Sequence, residues 1–196
     1  QADITKDGDR FTSLIADVEE AIRIRMAVYE DALRGGVSLQ AASNDVTPTE
    51  WRTYLNTFKV EERYPGISGL GVVWPVKQKD LKHFVSKVSA EIPNFKLKTL
   101  PGYEIATEAS ANQEHFVVSN IEPSETNHAA VGLDVSTEPR RRKAAEQARD
   151  SGLPSMTSRI ILFQDAQKRP SFHIYYPMYK HGITPGIRAF YAVGPS

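Results

Sequence analysis

An α+β fold is predicted by three observations. The first third of the chain carries long helical periodicities, the last third carries short strands joined by hairpin-type turns, and strands and helices do not alternate regularly between them. The helices lead. Residues 9 to 34 place Phe11, Leu14, Ile15, Val18, Ile22, Tyr29 and Ala32 on one stripe at a spacing near 3.5, and only Arg25 interrupts the seam. Gly35-Gly36 is the expected stop. Such a helix is expected to pack on the domain.

A second helix starts at a clear signal: Thr47 as N-cap, Pro48 at the first helical position and Glu50 three residues after the cap. Trp51, Tyr54, Leu55 and Phe58 line one face, and Tyr64-Pro65-Gly66 ends it. The apolar run 67–76 suits a buried strand, with its glycines permitting close backbone packing. A third helix is expected over 78–91, closed by Ile92-Pro93. Strands follow at 95–99, 102–107, 115–121 and 129–133, then a fourth helix at 138–150 with Pro139 in its first turn and Gly152 as terminator. Strands at 157–164, 171–180 and 187–193 complete the chain, with turns at Asp165, Pro170, Gly182 and Pro185-Gly186.

Composition bounds the function. The chain has 196 residues, 24 Lys+Arg and 24 Asp+Glu, so its net charge is zero. That balance gives no electrostatic footprint for nucleic acid or an anionic membrane. No apolar run approaches the roughly 20 residues of a membrane span. With no cysteine, disulfides, thiolate metal sites and thiol catalysis are excluded. The five histidines show no metal-ligand spacing, and no cofactor motif is present. Gly66-Ile67-Ser68-Gly69-Leu70-Gly71 lacks both the P-loop lysine and the dinucleotide spacing. No nucleophile, base and oxyanion donor assemble on the sequence. A binding module is therefore expected, not an enzyme.

Small-molecule pockets are mostly apolar with a few oriented polar groups. Phe116, Met156, Phe163 and Tyr175 lie in strand-like segments with apolar neighbours, and each could equally be plain core. Asp134 ends the apolar run 129–133, just before the fourth helix. It could cap that helix, or pair with Arg140, Arg141 or Arg142, which otherwise look like a solvated helix face. Ser136 and Thr137 are better placed to cap a helix starting near Glu138, which would leave the Asp134 carboxylate for a ligand.

Tyr64-Pro65-Gly66-Ile67-Ser68-Gly69-Leu70-Gly71 with Trp74-Pro75-Val76, Ile121-Glu122-Pro123 with Asn127, Gly132-Leu133-Asp134, Ala148-Arg149-Asp150-Ser151-Gly152 with Thr157, and Tyr176-Pro177-Met178-Tyr179 stand in an order that resembles the CHASE domains, extracellular sensory domains of receptor histidine kinases and nucleotide cyclases. The resemblance spans about residues 47 to 193. It implies a long N-terminal helix followed by two PAS-like antiparallel-sheet lobes: a stalk and connection over 1–46, then a sensor domain over 47–196, with a distal lobe over about 66–164 and a proximal lobe from the remaining strands.

It further implies a small-molecule ligand, a homodimer, no nucleic acid partner, flanking transmembrane helices outside this chain, a periplasmic or extracellular location on a plasma-membrane protein, and a cytoplasmic kinase or diguanylate cyclase module. Plant members bind adenine derivatives through an Asp that matches Asp134. A backbone contact matches Met156, and apolar walls match Phe116 and Phe163 approximately; Tyr175 completes the expected set. Glu138-Pro139-Arg140 and Ser151-Gly152 depart from the plant pattern, so the ligand class implied is a small organic molecule, adenine-like or otherwise. The alternatives are a structural dimerisation domain without ligand, or a periplasmic enzyme.

Overall fold

The computed structural model describes residues 2–43, 46–104, 113–179 and 189–194. Its class is α+β, with a long helix leading into helices around an antiparallel sheet. Helix α1 runs over Ala2–Ala42, roughly 60 Å at 1.5 Å per residue. It passes straight through Gly35-Gly36, the expected stop. Gly35 is a packing site: a Cβ there would lie 2.5 Å from the Tyr54 hydroxyl. Burial of Tyr29, Ala32, Leu33 and, beyond the glycines, Gln40 outweighs the weak local propensity of the pair.

Helix α2 (Pro48–Phe58) starts at the expected capping box. Glu50 N donates to Thr47 Oγ1 at 3.2 Å, and Thr47 N donates to Glu50 Oε2 at 2.9 Å. It ends earlier than predicted, at Lys59, whose φ of 54° turns the chain into a short helix α3 (Val60–Arg63). The turn buries Val60 and stacks Tyr64 on Phe58 at 5.2 Å. Pro65 O then accepts from Tyr29 Oη and Arg25 Nη1 on α1, each at 3.1 Å. These contacts dock the Tyr64-Pro65-Gly66 segment onto the long helix.

Strand β1 (Leu70–Lys77) is followed by a 3-10 turn over Gln78–Asp80, helix α4 (Leu81–Glu91) and strand β2 (Glu114–Glu122). After a short helix α5 (Ser124–Asn127) come 3-10 turns at His128–Ala130 and Val135–Thr137, and helix α6 (Pro139–Ser151). Strands β3 (Ser155–Met156), β4 (Ile160–Ile161), β5 (Pro170–Tyr176) and β6 (Ala189–Gly194) complete the described chain. The sheet order is β2-β1-β6-β5-β3, every pairing antiparallel, with β4 on the same β5. Strands β5 and β6, assigned above to a proximal lobe, pair with each other, and β6 pairs with β1. The described strands thus join one sheet.

Three expected strands take another form. Residues 95–99 and 129–133 meet in a single parallel bridge, Lys98 to Leu133. Gly132, at φ +85°, breaks the second run. The strand at 157–164 is interrupted because Thr157 Oγ1 replaces a backbone acceptor, taking the His173 N–H at 3.0 Å. Part of the strand expected at 102–107, the start of that at 187–193, and the turns at Gly182 and Pro185-Gly186 lie outside the described residues.

Strands β1, β2 and β5 are largely buried, and β5 contributes to clusters on both faces of the sheet. Along β5, Phe172, Ile174 and Tyr176 pack toward the α1 and α2 cluster of Leu33, Trp51 and Leu55, whereas Tyr175 joins the cluster under α6 with Phe116, Val118 and Ala145.

Candidate functional site

The site grows from the backbone around Gly132. Gly132 N donates to Val118 O at 2.8 Å and Val118 N to Leu133 O at 3.0 Å, while Lys98 N donates to Gly132 O at 2.9 Å. A Cβ on Gly132 would stand 2.0 Å from Lys96 O, so only glycine fits between β2 and segment 96–98. The chain is thereby carried past β2 with Asp134 facing the Phe116 backbone.

Asp134 is fully buried, and its carboxylate is saturated by protein donors. Oδ1 accepts from Phe116 N at 3.1 Å, Ser136 N at 3.0 Å and Ser136 Oγ at 2.6 Å. Oδ2 accepts from His115 Nδ1 at 2.7 Å; an ionised carboxylate cannot donate, so the ring carries its proton on Nδ1. His115 is itself buried, and the Gln78 side-chain amide faces its Nε2 at 2.6 Å. Burial alone would raise the Asp134 pKa. The hydrogen bonds from His115, Ser136 and the Phe116 N–H outweigh burial and hold it below the usual carboxylate value.

Asp134 caps a helix, but not the one expected. It is the N-cap of the single 3-10 turn at Val135–Thr137. The cap of α6 is Glu138, whose Oε2 accepts from Arg141 N at 3.0 Å. Ser136 Oγ and Thr137 Oγ1 instead donate back to Asp134 Oδ1 and O. The 3-10 turn aims both hydroxyls away from the helix start.

Nor is the arginine run a wholly solvated face. Arg140 is exposed, but Arg141 is 4% exposed and lies against the sheet. Its Nη2 donates to Ile161 O at 2.8 Å, tying α6 to β4, and its Nη1 stands 4.0 Å from Glu138 Oε2. Its Nε has no hydrogen-bond partner among the described residues. Beneath it lie His173 and Tyr175, both buried, with Nδ1 and Oη 3.1 Å apart. Burial, reinforced by the Arg141 charge, pushes the His173 pKa well down. Burial raises the Tyr175 hydroxyl, more than Arg141 lowers it. Both side chains are therefore neutral at pH 7.

Of the residues singled out in the sequence, Asp134, Phe116 and Tyr175 meet in and beside the interior under α6. Met156 and Phe163 are on the surface, 53% and 38% exposed, and the structure does not bring them to that interior. His115, Gln78 and His173 escaped sequence reading, and Arg141, considered there as a partner of Asp134, instead lies against β4 and Glu138. One signal existed: Ser171, His173 and Tyr175 alternate with Phe172, Ile174 and Tyr176, the period-two mark of a strand with one polar inner face.

Asn127 and Gly69 are structural. Asn127 Nδ2 donates to Ser68 O at 2.9 Å and Pro123 O at 3.0 Å, its Oδ1 accepts from Gln164 Nε2 at 2.7 Å, and a Cβ on Gly69 would lie 3.0 Å from Nδ2.

The family model of the CHASE domain matches residues 44–189. That span holds every residue of the Asp134 and Arg141 clusters. Comparison with the curated proteins finds no match.

Proposed function

The chain belongs to the CHASE domain family, extracellular sensor domains of receptor kinases and cyclases, and on that premise we propose that it is the extracytoplasmic ligand-binding part of a transmembrane receptor. It binds a small organic molecule between α6 and the sheet. Asp134, Phe116 and Tyr175 are the inner contacts, and Met156 and Phe163 the outer ones. The signal passes along α1 to flanking membrane helices and a cytoplasmic kinase or diguanylate cyclase module, and the working unit is a homodimer.

One observation carries this reading. A single unbroken helix places Tyr29, Ala32 and Leu33 in the core beside β5, and the same helix leaves Phe11, Val18 and Ile22 exposed beyond it. A change in the sheet therefore reaches the exposed end through one rigid element. A ligand shifts the receptor only by its difference in affinity for two states. The unpartnered Arg141 Nε within the inner face is a group that a ligand acceptor would satisfy.

A thermal-shift screen of the purified chain against a metabolite library tests the reading, because a ligand bound to the native state raises apparent stability. A compound that raises the melting temperature of the wild type but not of Tyr175→Phe or Arg141→Lys supports it. A second reading is a dimerisation domain without ligand. It is favoured by the carboxylate of Asp134, whose four hydrogen bonds all come from the protein. No compound shifting any variant, together with a dimer through α1, would select it.

A further inference from the structure

A groove of about 760 Å³ runs along the outer edge of β2, between that strand and segment 92–98, with the first turn of α2 beside it. Its volume is that of a small-molecule site. None of Asp134, Phe116 and Tyr175 lines it. Ile92, Phe95, Leu97, Ile121 and Val131 supply apolar wall. Arg52 and Glu122 also line it but neutralise each other: Glu122 Oε1 accepts from Arg52 Nε at 2.8 Å, and its Oε2 accepts from Ser124 N at 2.8 Å.

Lys98 differs. It is partly buried in the groove wall, and among the described residues no carboxylate pairs with its ammonium. Burial pulls its pKa down. Lys96 stands exposed two residues away, and the remaining acid of the groove, Glu91, is exposed.

We propose that this groove binds a small amphipathic organic anion, its carboxylate on Lys98 and its hydrocarbon part on Ile92, Leu97 and Val131. An anion would pair with the partly buried Lys98 ammonium, which a neutral ligand would leave without a counter-charge. The site is also wired to Asp134. Lys98 N donates to Gly132 O at 2.9 Å, and Asp134 N donates to Lys98 O at 2.8 Å. An anion that draws in the Lys98 side chain therefore pulls on the backbone that positions Asp134. The binding claim stands apart from the sensor reading; only its signalling role rests on it.

Calorimetric titration of the intact chain with 2-naphthoate and with the uncharged 2-naphthamide tests the claim, with backbone amide shifts recorded by NMR. The expected result is roughly tenfold tighter binding of the naphthoate, the scale of one charge-assisted hydrogen bond. The shifts should centre on residues 92–98 and 119–122. Lys98→Met, which keeps the apolar stem, should erase the preference and leave the melting temperature unchanged. No binding of millimolar naphthoate, equal affinity for the two probes, a preference that survives Lys98→Met, or shifts centred elsewhere would each overturn the groove. A metabolite shift lost in Tyr175→Phe but kept in Lys98→Met would place that ligand under α6 and remove the signalling role of the groove, leaving the sensor reading intact and the groove to be decided by the naphthoate titration.

Discussion

Asp134 and His115 share a buried hydrogen bond, Oδ2 to Nδ1 at 2.7 Å, in which neither side chain exposes more than 1% of its surface. The contact joins β2 to the turn that follows Gly132, and through Gln78 it reaches the turn that opens α4. The residue best placed to read a ligand by family resemblance is thus also a structural keystone.

Removing that carboxylate should cost stability before it costs anything else. Asp134→Ala leaves the donors of Phe116, Ser136 and His115 unmatched in the interior, an expected loss of about 3–5 kcal/mol. Asp134→Asn keeps one acceptor oxygen for the three donors on Oδ1, so the loss should be smaller, about 1–3 kcal/mol. Urea denaturation measures both. Because the folded pKa of Asp134 lies below its ordinary 3.8, the charge contributes stability above that value, and this is lost as pH falls through the folded pKa. The Asn variant should therefore show a flatter loss of stability in acid than the wild type.

His173 gives a second pH dependence in a different window. Its folded pKa lies well below the ordinary 6.5, from burial and then from the Arg141 charge. Near Arg141 and His173 the other ionisable groups of the cluster are Glu138 on α6 and Tyr175 on β5. Below pH 6.5 the unfolded chain takes up a proton that the folded chain refuses, so stability should decline by up to about 1.4 kcal/mol per pH unit. Urea midpoints measured from neutral pH down into mild acid should show this slope. In His173→Gln, which cannot titrate, the slope should shrink; an unchanged slope would assign the effect to another group.

Two glycines should resist substitution for different reasons. Gly132→Ala meets both a positive φ and the Lys96 carbonyl, and the expected loss is about 2–5 kcal/mol. Gly35→Ala sits in an ordinary helix and clashes with the Tyr54 hydroxyl alone, Phe58 lying at ordinary contact distance, so about 1–3 kcal/mol is expected. Tyr54→Phe should restore much of the second loss and none of the first. A double-mutant cycle on Gly35 and Tyr54 reads that coupling directly.

These positions also mark where sequence reasoning held and where it stopped. The Thr47–Glu50 box, the Pro139 start and the Gly152 end of α6, at φ +71°, were legible because each is set by residues within one turn. Gly35-Gly36 was not, because the packing of α2 on α1 decides that the helix continues. Arg141 looks like its neighbours Arg140 and Arg142 in sequence, and only the placement of β4 and β5 against α6 buries it. Glu138 became the cap of α6 because Asp134 had already drawn Ser136 into its own turn. Asp134 stood out in the sequence by its place after the run 129–133, but its hydrogen-bond network did not, since His115 and Gln78 lie 19 and 56 residues away in sequence and are gathered by the fold.

The exposed half of α1 carries the last prediction. Phe11, Ile15, Val18 and Ile22 recur at alternating steps of four and three and are 65%, 44%, 58% and 57% exposed, the seam spacing of a two-stranded coiled coil. The next two seam positions belong to the chain's own domain: Arg25 reaches Pro65 O and Tyr29 is buried. The free stripe is therefore short, about two heptads, and below the length at which isolated helices pair strongly. Sedimentation should show a weak, concentration-dependent dimer rather than a tight one. Val18→Glu or Ile22→Glu places like charges across the seam and should make the chain monomeric without altering its melting in dilute solution, where it is already monomeric. A dimer that persists in Val18→Glu, or that survives removal of residues 1–24, would mean that the copies meet through another surface and that α1 carries no signal between them.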